Sequence, residues 1–170
     1  MRVTQRLVDT NGVTLKVIEA GERGNPVVVL THGFPELAYS WRHQIPVLAA
    51  AGYHVLAPDQ RGYGGSSRPD GIDAYNIVEL TADIAGLLDD VDAERAILIG
   101  HDWGSPVATN FPLFFPDRVA AVAALSVPPG AAGIRAADPD LAPNGRRQLL
   151  LHPVLPGTRC RRCRPRRRRA

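Results

Sequence analysis

A chain of 170 residues suits one domain, and 45% apolar residues suffice to build a core. It contains no run of 18 or more apolar residues, so no membrane span is expected, and MRVTQRLVDTNG carries no apolar leader, so a cytoplasmic location is expected. The formal charge of +3 averages two unlike parts: residues 1–140 hold 17 acidic and 10 basic residues, a net −7, while residues 141–170 hold ten arginines and no acid, a net +10.

In chain order, TQRLVDT and VTLKVIEAG alternate apolar and polar around Asn11-Gly12. Both residues of that dipeptide accept positive φ, which predicts a hairpin. NPVVVLTHG is a continuous β-branched run, as expected of a strand covered on both faces. SWRHQIPVLAAAG reads as a helix ending at Gly52, with Pro46 limiting its regular part. YHVLAPD is a second buried strand, and QRGYGGSSRPDG is loop.

NIVELTADIAGLLDDVD is the clearest helix, with Ile77, Leu80, Ile84, Leu87 and Leu88 on one face. AILIGHD then gives a third buried strand. A helix from about Ser105 to Phe115 follows it, kinked or shortened at Pro112, and VAAVAALSV gives a fourth buried strand. A hairpin followed by alternating strands and helices predicts an α/β fold with a mainly parallel sheet.

In such sheets reactive groups gather beyond the carboxyl ends of the strands. Three loops there stand out: Thr31 to Glu36, Asp59 to Pro69, and Gly100-His101-Asp102-Trp103-Gly104. The last has the form of a nucleophile elbow, in which small residues flank a reactive side chain because the strand-to-helix turn is tight. A helix N-terminus favours the ionised carboxylate, so Asp102 is expected to be a free anion at neutral pH. An aspartate displaces at alkyl carbon to give an ester. Hydrolysis of that ester passes through an oxyanion that needs two N–H donors, and by position these are the backbone N–H groups of Phe34 and Trp103.

HGFPE, Trp41, RGYGGSSRP and GHDWG stand in the order and approximate spacing seen in α/β-hydrolase-fold epoxide hydrolases, which the chain resembles over about residues 10 to 130. GHDWG is shared with haloalkane dehalogenases, but these usually carry Asn where this sequence has Phe34. The resemblance implies a nucleophilic Asp102, an oxyanion hole from Phe34 and Trp103, and opening of a small-molecule epoxide to a diol with no cofactor and no metal. It also implies two cap tyrosines that protonate the epoxide oxygen and a later His, oriented by an acid, that activates water. No segment of this sequence matches the cap, the acid or that His; the one His after Asp102 is His152. Residues 1–140 therefore read as the N-terminal part of an α/β-hydrolase core domain, incomplete, with activity of the chain by itself not expected.

Blander roles are weighed alongside. An Asp after a strand can be a simple helix N-cap, a reading the accompanying HGFPE and RGYGGSS disfavour. His32 and His101 read as loop-holding groups, as do Gly33, Pro35, Gly100 and Gly104 around them; Trp41 reads as packing that lines the pocket. Tyr63 is read as structural, and Asp59 and Arg61 as pinning their loop. Dehalogenation by the same aspartate is the enzymatic alternative.

The tail, 141–170, carries Cys160 and Cys163, a lone CxxC without partner ligands for zinc. Arg146 to Thr158 can be regrouped one nucleotide away into Gly-Asp-Asn-Phe-Phe-Tyr-Ile-Leu-Tyr-Phe-Gln-Glu-Pro, which resembles the cap segment of epoxide hydrolases. A frameshift near Gly145 is the expectation drawn from this. The competing reading is a non-enzymatic fragment whose arginines bind nucleic acid; it lacks interleaved aromatics. Either way the tail is expected to be disordered.

Overall fold

A computed structural model describes residues 3–128. The basic tail, its cysteines, His152 and the frameshift reading lie outside the described residues.

β1 (Val3–Thr10) and β2 (Val13–Ala20) form the expected hairpin, in antiparallel register from Val3↔Ala20 to Thr10↔Val13. Asn11 and Gly12 turn it with φ of 44° and 75°. β3 (Val27–Thr31), β4 (His54–Pro58), β5 (Ala96–His101) and β6 (Val119–Leu125) complete one sheet in the order β1-β2-β4-β3-β5-β6. β4, β3, β5 and β6 run parallel, and β2 joins them antiparallel through β4. Parallel neighbours need crossovers, which three helices supply: α1 (Gln44–Ala50), α2 (Ile77–Asp90) and α3 (Gly104–Phe114).

Alternation along β3 divides the core in two. Val27 and Val29 face the cluster made with Ile84, Leu87 and Leu88 of α2 and Val107, Ala108 and Phe111 of α3. Val28 and Leu30 face the opposite cluster with Ala38, Trp41 and Ile45 on the α1 side. Each fully buried Leu or Phe contributes about 1.5–3 kcal/mol by leaving water. α2 starts where expected because Asn76 caps it, its side chain accepting from the N–H groups of Val78 and Glu79 at 2.9 and 3.1 Å.

Two expectations change. The helix read from SWRHQIPVLAAAG is split: Ala38–Trp41 form one 3₁₀ turn, and the α-helix begins only at Gln44. Pro46 thus falls in the first turn of α1, where its missing N–H costs nothing. VAAVAALSV is also not a strand buried on both faces; β6 is the edge of the described sheet, and its residues are half-buried or exposed. Its apolar sequence reflects small residues against α3, not cover on both sides.

Candidate active site

The carboxyl ends of β3, β4 and β5 bring the three loops to one place. β5 ends in a sharp turn at which Asp102 takes φ 49°, left-handed backbone that a non-glycine residue rarely adopts. The turn is locked from beneath. The Asp102 N–H donates to the Leu125 carbonyl at 3.1 Å, and the Ser105 hydroxyl bonds the carbonyls of Gly100 and Leu125 at 2.8 and 2.9 Å. No bulk is admitted on either side: a Cβ on Gly104 would stand 2.2 Å from the Thr31 carbonyl oxygen, and one on Gly100 would stand 2.2 Å from that of Gly104. Glycine therefore lets β5, the start of α3 and the end of β3 pass in contact.

The second loop meets the first across Gly33, where a Cβ would lie 2.4 Å from the Asp102 Cβ. The Phe34 N–H donates to Asp102 Oδ1 at 2.9 Å. Hydrogen bonds from the backbone N–H groups of Phe34 and then Trp103 hold the Asp102 carboxyl below its ordinary value, with a smaller pull from His101. Asp102 is therefore an anion at neutral pH, presented between two exposed rings, Phe34 (63% exposed) and Trp103 (67%).

The remaining residues support this loop pair. His32 is fully buried, and its Nε2 accepts the Gln60 N–H at 3.0 Å. The ring proton therefore sits on Nδ1, which donates to the Gly33 carbonyl at 2.9 Å. Burial pushes His32 below the ordinary imidazole value, against smaller raising effects from Gly33, Asp59 and Glu36. The Tyr63 ring stands edge-on to His32, with centroids 5.0 Å apart. Pro35 follows Phe34 through a cis peptide bond.

His101 points the other way, its Nδ1 3.1 Å from Glu36 Oε2. The same Glu36 oxygen accepts the Gly33 N–H at 3.2 Å. Desolvation alone would raise Glu36, but Gly33, His101 and Ser40 outweigh it and hold the carboxyl low. Glu36 therefore clasps the Gly33 loop to the elbow.

Asp59 accepts the N–H groups of Ala38 and Gly65 at 2.9 and 3.1 Å, and Arg61 makes a buried bidentate pair with Asp83 at 2.5 and 2.6 Å. Both hold the Asp59–Pro69 loop against its neighbours. Trp41 is not drawn into this constellation: its indole packs in the α1-side cluster with Leu30 and Ile45, because the 3₁₀ turn aims it under the sheet face. Gln60, Ser105 and the Glu36 clasp are contacts that no sequence motif predicts. HGFPE already displays Glu36, but nothing in the sequence marks the partners of the other two. Among the described residues, no group of three or more His, Cys, Asp or Glu is placed to hold a metal ion, and no helix is long and apolar enough to cross a membrane.

The family model of the alpha/beta hydrolase fold matches residues 26–145. Epoxide hydrolase A of Mycobacterium tuberculosis is 76% identical over 125 residues, covering 74% of this chain and 39% of that protein. Epoxide hydrolase B of the same organism is 48% identical over 136 residues, 79% of this chain and 38% of its own. Among solved structures, epoxide hydrolase A from Mycobacterium thermoresistibile superposes with a TM-score of 0.74 at 69% identity, covering 75% of this chain and 40% of that one. The chain thus spans about two fifths of the length of the relatives it matches.

Proposed function

Because the chain belongs to the alpha/beta hydrolase fold family, we propose that Asp102 is the nucleophile of an epoxide hydrolase-type reaction. The observation that carries this reading is the strained, donor-held carboxylate: φ 49° at Asp102, with its Oδ1 on the Phe34 N–H. Strain of this kind persists only where surrounding structure imposes it, and it places the carboxylate beyond the sheet end. The relatives named epoxide hydrolase supply the substrate class.

One carboxylate oxygen attacks an epoxide carbon from the side opposite the ring oxygen. A C–O ester bond forms, the ring C–O bond breaks, and the ring oxygen leaves as an alkoxide that takes up a proton. The other carboxylate oxygen stays on its N–H donors and becomes the ester carbonyl. Water then adds to the ester carbon, and the charge that develops on this oxygen is met by the N–H groups of Phe34 and Trp103. Collapse returns the Asp102 carboxylate and releases the diol. The diol leaves with the Asp102 oxygen that attacked and the water oxygen replaces it in the carboxylate, so the net change is epoxide plus water to diol and, as written, needs no cofactor. The acid that protonates the alkoxide and the base that activates water are not assigned to any described residue.

The test is intact-mass measurement of the purified 170-residue protein after incubation with styrene oxide. A single adduct of one epoxide mass, mapped to Asp102 and missing in Asp102→Asn, is the expected result. Folded protein that gives no adduct, or an equal adduct in Asp102→Asn, overturns the assignment.

A further inference from the structure

We propose that Gln60, acting through His32, is a positioning residue for the Asp102 carboxylate, a proposal that rests on the nucleophilic role given to Asp102 above. Gln60 lies two residues past the end of β4 and is buried at 8% exposure. It holds His32 at two points. Its side-chain Nε2 donates to the His32 carbonyl at 2.6 Å, and its backbone N–H donates to the His32 ring at 3.0 Å. The amide is oriented by this contact, since only its nitrogen can donate to a carbonyl.

The side-chain bond fixes the His32 main chain so that its ring stays on the Gln60 N–H, and the consequence runs through one rigid plane. With Nε2 accepting, the His32 proton is on Nδ1 and bonds the Gly33 carbonyl. That carbonyl and the Phe34 N–H belong to the same planar peptide unit and point in opposite directions. Fixing the carbonyl on His32 therefore aims the N–H at Asp102 Oδ1, 2.9 Å away. If the peptide turned over, a carbonyl oxygen would face the carboxylate and the donor would be lost. The Glu36 N–H, which also bonds the Gly33 carbonyl at 3.0 Å, opposes the same flip from the far side.

A residue that merely satisfied a buried carbonyl would change stability and nothing more. A positioning residue changes the Phe34 amide and the chemistry of Asp102. In Gln60→Met the side chain keeps its length and the backbone N–H remains, but the donor to the His32 carbonyl is gone. With styrene oxide, the maximal alkylation rate of Gln60→Met should fall about tenfold while its half-saturating concentration stays unchanged, as expected when a reacting group loses alignment and not binding. In ¹H–¹⁵N spectra the Phe34 amide should move upfield and follow the ionisation of Asp102 more weakly than in the unaltered protein. Asn76→Ala, which loosens α2 far from the loop pair, should move neither readout.

Gln60→Met that reacts normally, with an unchanged Phe34 amide and only lower stability, overturns the proposal. A direct check needs no variant: ¹⁵N shifts of His32 should report the Nδ1-protonated ring, and the opposite tautomer also overturns it. If the unaltered protein forms no adduct while the Phe34 amide still shifts in Gln60→Met, the epoxide reading fails and the positioning stands.

Discussion

Gly104→Ala isolates what the close passage of β3 and α3 contributes. The new Cβ would lie 2.2 Å from the Thr31 oxygen, 2.6 Å from its carbonyl carbon and 2.7 Å from the His32 oxygen, all of them backbone atoms. Ordinary C···O contacts begin at about 3.3 Å, so one main chain must retreat by about 1 Å. It is poorly free to do so: Thr31 pairs with Gly100 in the sheet, and its hydroxyl donates to the Gly104 carbonyl at 3.0 Å. Overpacking against backbone places the cost near the top of the usual range, about 3 kcal/mol. For a unit of this size that corresponds to a melting temperature lower by ~10 °C.

The retreat also moves the segment leading from Thr31 to Phe34, so the N–H that holds Asp102 goes out of line. Alkylation of folded Gly104→Ala by styrene oxide should therefore slow at least about tenfold. Gly12→Ala is the control, with φ 75° but no atom within 4 Å of the new Cβ. It should cost only about 1–2 kcal/mol of left-handed strain and leave alkylation unchanged. Urea midpoints and intact mass measure both. Gly104→Ala within about 1 kcal/mol of the parent, with an unaltered alkylation rate, would refute the close-passage reasoning.

Asp83→Ala strips the buried Arg61 guanidinium of its bidentate partner, leaving the Glu79 carboxylate 3.8 Å away as its ion partner, and should cost about 3 kcal/mol, whereas Arg61→Met with Asp83→Leu should cost far less; equal urea midpoints for the two would count against a buried ion pair. Asn76→Ala removes the α2 cap and should cost about 1 kcal/mol, read as a lower urea midpoint with an unchanged slope. His32 has a folded pKa below its ordinary 6.5, so the unfolded chain takes up a proton that the folded one refuses. Stability attributable to this neutral ring is thus complete above pH 6.5 and falls as pH drops below it, by at most about 1.4 kcal/mol per pH unit. The lowered carboxyls of Glu36 and Asp102 stabilise above their ordinary 4.5 and 3.8 and lose that effect only lower down, whereas burial raises Asp83 toward the same range, so the histidine is read as the part of the pH 5 to 6.5 slope that its replacement removes. His32→Gln should flatten the dependence there, and parallel curves would sink the assignment.

The sequence by itself determined the elements and the nature of the elbow. Asn11-Gly12 between alternating segments specifies a hairpin, β-branched runs specify strands covered on both faces, and glycine on both sides of Asp102 specifies a turn that admits no bulk. These signals are local: each depends on backbone freedom or side-chain period within a few residues. What only the tertiary structure decided depends on which loop ends meet. The insertion of β4 between β2 and β3, the edge position of β6, and the burial of Trp41 in the α1-side cluster belong to this class. So do the Leu125 carbonyl beneath Asp102, the Arg61–Asp83 pair, and Gln60 on a histidine 28 residues away. Periodicity states which face of a strand is apolar and is silent on what will cover it. A buried donor finds its acceptor only once the strands are ordered, and here that order turns two loops into a held carboxylate.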